Sequence, residues 1–184
     1  MSSARLCRHK LTVDDYYKIG EAGVLKEQDR VELIEGELID MAPIGSHHAY
    51  TIDKLVEIVY QQKTSHIHIR VQNPLRLNEY NAPEPDLCIV KEKNYSNHHP
   101  EPSDTLLIIE VADSSLSYDL GIKVPLFATY QIPEVWVMDI NENRLHIFRQ
   151  LQQDHYQYVN KKASGSISPI EVPELIFDIE SFWS

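Results

Sequence analysis

Apolar residues at helical spacing predict helices in two parts of the chain. Residues 49–63 form one predicted helix, with Ser46 ahead of it as a candidate N-cap. Its apolar residues recur at i, i+3, i+4 and i+7, one face of an amphipathic helix: Ile52, Leu55, Val56 and Val59. Residues 117–131 form the other, but Pro125 removes a backbone hydrogen bond and clashes with the preceding turn. We therefore predict a kinked or two-part helix there.

The N-terminal part of the chain predicts a short helix followed by a β-hairpin. Thr12 and Asp15 have the spacing of a capping box, and the helix that they begin should end near Gly23. Two short β-prone runs in residues 31–41 then flank Glu35-Gly36, a dipeptide suited to a tight turn.

Strand patterns fill most of the remaining chain. Residues 66–71 alternate strictly between polar and apolar, which predicts a half-buried strand. Apolar runs and weaker patterns predict further strands at residues 87–90, 106–111, 135–139, 144–148, 156–159 and 175–179. Strands, a helix and strands again indicate an α/β or α+β fold, in which helices cover a mixed central β-sheet.

Length and composition describe an ordinary globular chain. With 184 residues, 42% of them hydrophobic, we expect a single domain over residues 1–184, with residues 1–10 flexible. No apolar run approaches the ~20 residues of a membrane span, and the N-terminus does not resemble a signal peptide. We therefore expect a cytoplasmic protein without a membrane partner. Its two cysteines, Cys7 and Cys88, are interpreted as reduced thiols.

The net charge of −11 limits how the protein can hold nucleic acid. Proteins that grip DNA through its phosphates usually carry a basic surface, and this chain is acidic on average. Three interpretations remain open. The basic groups are concentrated on one face, the target is held weakly, or nucleic acid is not the substrate.

Two acids at the ends of buried strands are the candidate chemistry. Asp86 follows Pro85 at the start of one strand, and Glu110 closes the apolar run of another, 24 positions later. If the two strands are neighbours, both carboxylates lie at the same place in the sheet, where they repel each other unless a cation sits between them. Mg²⁺ is usually held by one or two carboxylates with water and phosphate. Lys123, on the following helix, is the candidate to orient a water and offset negative charge.

Each of these residues also has a structural interpretation. Asp86 is otherwise a turn residue, Glu110 is paired or solvated, and Lys123 is a solvated helix lysine. Asp119 is interpreted as a helix-capping residue or as an i, i+4 partner of Lys123.

Taken together, these residues resemble the signature of a known family, the Uma-two family of the PD-(D/E)XK restriction-endonuclease-like superfamily. The similarity covers nearly the whole chain, from about Leu11 to Trp183. It rests on Glu32-Leu33-Ile34-Glu35-Gly36-Glu37 with Met41, Pro43 and His48, on Pro85-Asp86 and Leu107-Ile108-Ile109-Glu110-Val111, on Ser114-Ser115, Asp119, Lys123 and Tyr130, and on Ile132-Pro133-Glu134-Val135-Trp136-Val137 with Asp139.

The resemblance implies a restriction-endonuclease-like sheet flanked by helices, and cleavage of nucleic acid that depends on Mg²⁺ or Mn²⁺. Asp86 and Glu110 match the metal-binding acids of the family. The superfamily places a lysine two residues after the second acid, where this chain has Ala112. In the Uma-two family this lysine has moved to the following helix, and Lys123 matches it.

A third acid in such folds commonly comes from the N-terminal part. Glu37, on the second arm of the hairpin, is the predicted third catalytic and metal-binding acid, with Glu35 next; the alternative is a solvent-facing hairpin acid. His48 is predicted as a metal ligand or a proton carrier, with a polar helix-start residue as the alternative.

The leading hypothesis is a Mg²⁺-dependent endonuclease that hydrolyses DNA phosphodiester bonds. The second is a catalytically degenerate nuclease fold that serves as a binding or scaffold protein; in either case we expect a homodimer. A metal-dependent hydrolase of another phosphate ester is the third. The chain has no P-loop, dinucleotide fingerprint or nucleophile elbow.

Overall fold

The first described element is a capped helix, α1 (Val13–Glu21). The computed structural model describes residues 8–26, 28–62 and 65–183, so most of the segment 1–10 that was predicted to be flexible lies outside the described residues. Thr12 Oγ1 accepts from the Asp15 N–H at 3.1 Å, and Asp15 Oδ2 accepts from the Thr12 N–H at 3.1 Å. The predicted capping box is therefore confirmed.

A β-hairpin follows, made of β1 (Val31–Ile34) and β2 (Glu37–Asp40), as predicted. Gly36 in its turn has a φ of +75°, which favours glycine. A Cβ at this position would come within 2.7 Å of Lys10 Cβ, and the Leu11 N–H donates to the Gly36 carbonyl at 2.9 Å. The turn is thus packed against the N-terminal segment, and only glycine fits.

The helix α2 (Ser46–Gln62) leads into a central sheet of six strands in the order β3-β4-β5-β6-β7-β8. The strands are β3 (Ile67–Val71), β4 (Leu87–Lys91), β5 (Thr105–Ala112), β6 (Val135–Asp139), β7 (Arg144–Gln152) and β8 (His155–Lys162). β5 and β6 are parallel and the other neighbours are antiparallel, which confirms the predicted mixed sheet.

The crossover between the parallel strands holds the predicted kinked helix. It consists of α3 (Leu116–Tyr118), a π-helical segment (Asp119–Lys123) and α4 (Val124–Thr129). Pro125 is the second residue of α4 and follows directly on the π-helical segment, where the backbone hydrogen-bond spacing changes. Division of the helix into parts is therefore how this sequence accommodates its proline.

Apolar side chains pack on both faces of the sheet. One cluster joins α2 to the sheet and the C-terminal residues, and includes Leu55, Trp136 and Phe177. The other joins α4 to the opposite face and includes Phe127 and the buried Cys88. A small pair, β9 (Ser166–Ile167) with β10 (Phe177–Asp178), closes the C-terminal region; β9 was not predicted. Across the described ranges, none of the helices has the length and apolarity to span a membrane.

Candidate active site

Asp86 and Glu110 meet at one end of the central sheet. Leu87 pairs with Ile109 across the antiparallel β4 and β5, which places the residues beside them opposite each other. The Asp86 N–H donates to Glu110 Oε2 at 3.3 Å, and the Val111 N–H donates to Asp86 Oδ2 at 2.9 Å. The two predicted acids therefore lie together because their strands are neighbours.

Lys123 reaches these acids from the π-helical segment. Its Nζ lies 3.2 Å from Glu110 Oε1 and 3.2 Å from Glu32 Oε2. A π-turn shifts the side chains that follow it around the helix axis, and such turns are frequent at functional sites. Ala112, at the position that the superfamily gives to lysine, is fully buried in the apolar cluster beneath α4. Lys123 brings an ammonium group to the acids from a different element.

Glu32 is the acid that the sequence analysis did not select. It lies on β1, is buried, and accepts from Tyr118 Oη at 3.3 Å as well as contacting Lys123. The Glu84 N–H donates to Glu32 Oε2 at 3.2 Å. One signal was available, because Glu32 interrupts the apolar run Val31–Ile34, all of which is buried.

The structure does not bring the predicted third acid into this cluster. The side chain of Glu37 is 51% exposed, and its carboxylate pairs with Arg8 Nη1 at 3.0 Å. Glu35 is exposed in the hairpin turn, with a φ of +51°. Glu37 pairs with Ile34 and so lies on the same face of the hairpin as Glu32, but it is at the turn end, as is Glu35, away from the cluster.

His48 contacts Asp86 from the start of α2. Its Nε2 lies 3.1 Å from Asp86 Oδ2, while Gln72 Nε2 donates to Asp86 Oδ1 at 3.2 Å. Burial alone would raise the pKa of Asp86, but the contact with His48 and the Val111 N–H outweigh it, so the pKa is lowered. Asp86 is held as a carboxylate. His48 Nδ1 is buried, and within the part of the chain that the structure describes it has no hydrogen-bond partner.

Negative charge exceeds positive charge in this cluster. Burial raises the pKa of Glu110 well above its ordinary value, and it raises that of Asp119 as well. Burial alone would lower the pKa of Lys123, but Glu110 and Glu32 outweigh it and raise that pKa, so the ammonium stays charged. Asp119 Oδ2 accepts from Ser115 Oγ at 2.6 Å. Lys123 pairs with two acids, Glu110 and Glu32, and two more, Asp119 and Asp86, interact with it electrostatically. This excess of acids favours a further cation.

The cluster lines a cavity of about 280 Å³. Residues 41–45, after the hairpin, and residues 113–115, after β5, form its remaining walls. Arg30 and Glu84 also line it, and burial followed by the charge of Glu32 raises the pKa of Glu84. We call this cavity the cleft.

The carboxylate oxygens of the cleft are donors that suit a hard cation. Over residues 8–26, 28–62 and 65–183, no three or more His, Cys, Asp or Glu side chains are placed together as a metal-binding group. Mg²⁺ binds through one or two carboxylates and completes its shell with water and phosphate, so Asp86 and Glu110 fit it.

A mixed six-stranded sheet with acids and a lysine at one end is the architecture of a nuclease fold. The chain matches the family model of Uma2, described as "Putative restriction endonuclease", over residues 13–180. The chain therefore belongs to the Uma2 family, and the resemblance inferred from its motifs is confirmed.

A solved structure shares this fold. It is described as "a putative nuclease belonging to DUF820 from Anabaena variabilis" and superposes with a TM-score of 0.74. The two chains are 14% identical, and the match covers 94% of this chain and 97% of the other. At this identity the likeness shows the fold. A comparison with curated proteins finds no match.

Proposed function

We propose that this protein is a divalent-metal-dependent endonuclease that hydrolyses DNA phosphodiester bonds in the cleft. The observation that carries the proposal is the meeting of Asp86, Glu110 and Lys123 at one end of the sheet, with contacts of 3.3 and 3.2 Å. Membership of the Uma2 family and the fold of the Anabaena nuclease support it.

Asp86 and Glu110 would hold Mg²⁺ or Mn²⁺. When bound, the metal supplies a water of lowered pKa and stabilises negative charge on the phosphate. His48 and Gln72 fix the Asp86 carboxylate from two sides, at 3.1 and 3.2 Å. We infer that the third acid of the site is Glu32 rather than Glu37, and that it positions Lys123, because Glu32 lines the cleft and lies 3.2 Å from Lys123 Nζ.

Lys123 would orient the attacking water or contact a phosphate oxygen. An ammonium group has three N–H donors, and two of them face Glu32 and Glu110. Within the described ranges no other carboxylate is paired with its Nζ, so the third N–H is left for water or substrate. The two glutamates fix the direction of that donor, which preorganises the site for developing negative charge.

Nicking of supercoiled plasmid tests the proposal. The wild-type chain should convert supercoiled to open-circular DNA with Mg²⁺ or Mn²⁺ and not with EDTA. Asp86→Asn should abolish the conversion while the circular dichroism spectrum stays unchanged. Asp154→Asn is the matched control, because Asp154 is an exposed acid in the turn between β7 and β8. Full activity in Asp86→Asn, or none in the wild type with either metal, would contradict the proposal.

The second candidate is a nuclease fold that binds without cleaving, as a homodimer. The net charge of −11 favours it, because such a surface repels a polyanion. Calorimetric titration with Mg²⁺ separates the two candidates. Heat of binding in the wild type that Asp86→Asn removes supports the endonuclease, and no heat in either supports the binding module. Light scattering during size-exclusion chromatography tests the predicted homodimer.

A further inference from the structure

Arg30 is a basic residue of the cleft that forms no ion pair with the described part of the chain. It directly precedes β1 and lines the same cavity as Asp86 and Glu110. Its Nη1 donates to the Ala42 carbonyl at 3.1 Å. Among the residues that the structure describes, no carboxylate lies within ion-pair distance of its guanidinium. A permanent positive charge therefore borders the cleft without a salt bridge.

The place of Arg30 on the hairpin explains why its side chain reaches the cleft. Val31 pairs with Asp40, and the Met41 N–H donates to the Arg30 carbonyl at 2.8 Å, so the ladder continues to Arg30. Side chains two positions apart on a strand share a face, which puts Arg30 on the face of Glu32. Both residues line the cleft. Two strand positions span roughly 7 Å, so Arg30 enters the cleft at that distance along the strand from Glu32.

The Arg30 guanidinium keeps most of its donors for a ligand. A guanidinium carries five N–H donors in a planar fork, and the bond to Ala42 uses one of them. Within the described ranges, its other N–H groups have no protein acceptor. The residue is half-buried, so these groups are in contact with the solvent of the cleft. The Ala42 carbonyl thus holds one side of the guanidinium and leaves the rest for an anion.

Lys123, the other basic residue of the cleft, is already paired. Its ammonium lies 3.2 Å from both Glu32 and Glu110, so these two acids offset its charge. Arg30 interacts with Glu84 without forming an ion pair: burial and the charge of Glu32 raise the pKa of Glu84, and Arg30 opposes that rise. An anion that enters the cleft therefore gains more from Arg30 than from an ammonium that two carboxylates already contact.

We propose that Arg30 binds a backbone phosphate of the DNA strand next to the phosphate that is hydrolysed. The inference rests on the proposed endonuclease function and adds a substrate-binding residue to it. A guanidinium fork matches two oxygens of a phosphate, and such charge-assisted hydrogen bonds are strong. The phosphate that Arg30 contacts does not react, because Arg30 lies one strand repeat away from Glu32, the acid that positions Lys123. This contact helps a protein with a net charge of −11 to hold a polyanion.

Steady-state kinetics of plasmid nicking test the inference. Arg30→Gln should raise KM about tenfold and keep kcat within about threefold, because a contact made equally before and in the transition state changes KM alone. Arg30→Lys keeps the charge and loses the fork, so its KM should lie between those of the wild type and Arg30→Gln.

Lys91→Gln is the matched control for Arg30→Gln. Lys91 also donates to one backbone carbonyl, that of Ser103 at 2.8 Å, and like Arg30 it forms no ion pair with a described residue. It ends β4, whereas Asp86 precedes the first residue of that strand. The exchange removes one positive charge away from the cleft, so KM should equal that of the wild type.

Anisotropy of a fluorescein-labelled DNA duplex in EDTA gives a second readout, which needs no cleavage. Over a salt series, Arg30→Gln should lower the slope of log K against log salt by about 0.9, the value for one lost phosphate contact. Arg30→Lys should keep the slope of the wild type. If Arg30 only held the Ala42 carbonyl in place, its exchange would leave this slope unchanged.

Equal KM values in the wild type and Arg30→Gln would overturn the inference. So would a fall in kcat at unchanged KM, which would place Arg30 at the reacting phosphate. In both cases the wild type nicks DNA, and the endonuclease proposal stands. If the wild type does not nick DNA and Arg30→Gln still weakens duplex binding, the phosphate contact stands and the endonuclease proposal fails. No nicking, with duplex binding equal in the two chains, would overturn both.

Discussion

Two acids on the central sheet are buried beside cations, and their surroundings differ. Glu134 precedes β6 and is completely buried. Its Oε1 accepts from Trp136 Nε1 at 2.5 Å and from Arg149 Nε at 2.6 Å, and its Oε2 accepts from the Ile170 N–H at 2.7 Å. One carboxylate meets one guanidinium, both oxygens are satisfied, and Glu134 does not line the cleft. This network joins the sheet to the C-terminal segment.

Around Glu110, carboxylates outnumber cations. Glu110 is 2% exposed and lines the cleft. Burial raises its pKa, as it does that of Glu134. At Glu134, hydrogen bonds from Ile170 and Arg149 oppose the rise in pKa. At Glu110, Lys123 opposes the rise in pKa, but three further carboxylates add to it: Asp119, Asp86 and Glu32. Burial of an acid therefore does not distinguish a functional site. In our proposal, an excess of carboxylates beside a cavity marks the functional site instead.

Exchange of Glu110 for glutamine should have the largest effect on activity. Glu110→Gln removes a proposed metal ligand, so we expect nicking to slow about a thousandfold, which corresponds to ~4 kcal/mol in the barrier. It also relieves repulsion among the acids, so the free energy of unfolding should change by less than about 1 kcal/mol. Plasmid nicking and urea unfolding measure the two quantities.

Glu142→Gln, in the exposed turn between β6 and β7, is the matched control for Glu110→Gln. If Glu110→Gln unfolds at a much lower urea concentration and still cleaves DNA, then Glu110 stabilises the fold, as we infer for Glu134, and does not take part in cleavage.

The corresponding exchange at Glu134 should affect stability instead. Glu134→Gln replaces an acceptor that three donors share, and it leaves the Arg149 guanidinium without its carboxylate. We expect the free energy of unfolding to fall by about 3 kcal/mol, as for other broken buried pairs. The nicking rate per folded molecule should stay within twofold of wild type at a temperature where both chains are folded. Loss of activity without loss of stability would contradict this interpretation.

Much of the fold could be predicted because its signals are local. The capping box at Thr12, the Glu35-Gly36 turn and the apolar strands β4 and β5 each depend on neighbouring residues, and the structure contains them. The short strand β9 could not be predicted, because two residues are too few to show an alternating pattern of polar and apolar side chains.

The candidate site depends on contacts between distant residues, and there the sequence was less informative. Asp86 and Glu110 could be paired because Asp86 begins one predicted strand and Glu110 closes the apolar run of another. Glu32 and Glu37 lie on the same face of the hairpin, so strand alternation does not separate them. The choice among Glu32, Glu35 and Glu37 required knowing which end of the hairpin packs against the cluster. Lys123 could be expected on the helix, but its contact with Glu32 arises from a π-turn that no local pattern predicts.

Exchange of Glu32 for glutamine should have the smallest effect on activity, and it tests whether Glu32 positions Lys123 or binds the metal. If Glu32 positions Lys123, then Glu32→Gln should lower kcat about tenfold, which is ~1.4 kcal/mol, because Glu110 still holds the ammonium. The Mg²⁺ concentration for half-maximal nicking should stay the same, since Asp86 and Glu110 bind the metal in our proposal. Glu35→Gln, on the exposed turn of the same hairpin, should match the wild type. A large rise in the Mg²⁺ requirement of Glu32→Gln would instead make Glu32 a metal ligand, and the cleft would then bind its cation through three carboxylates.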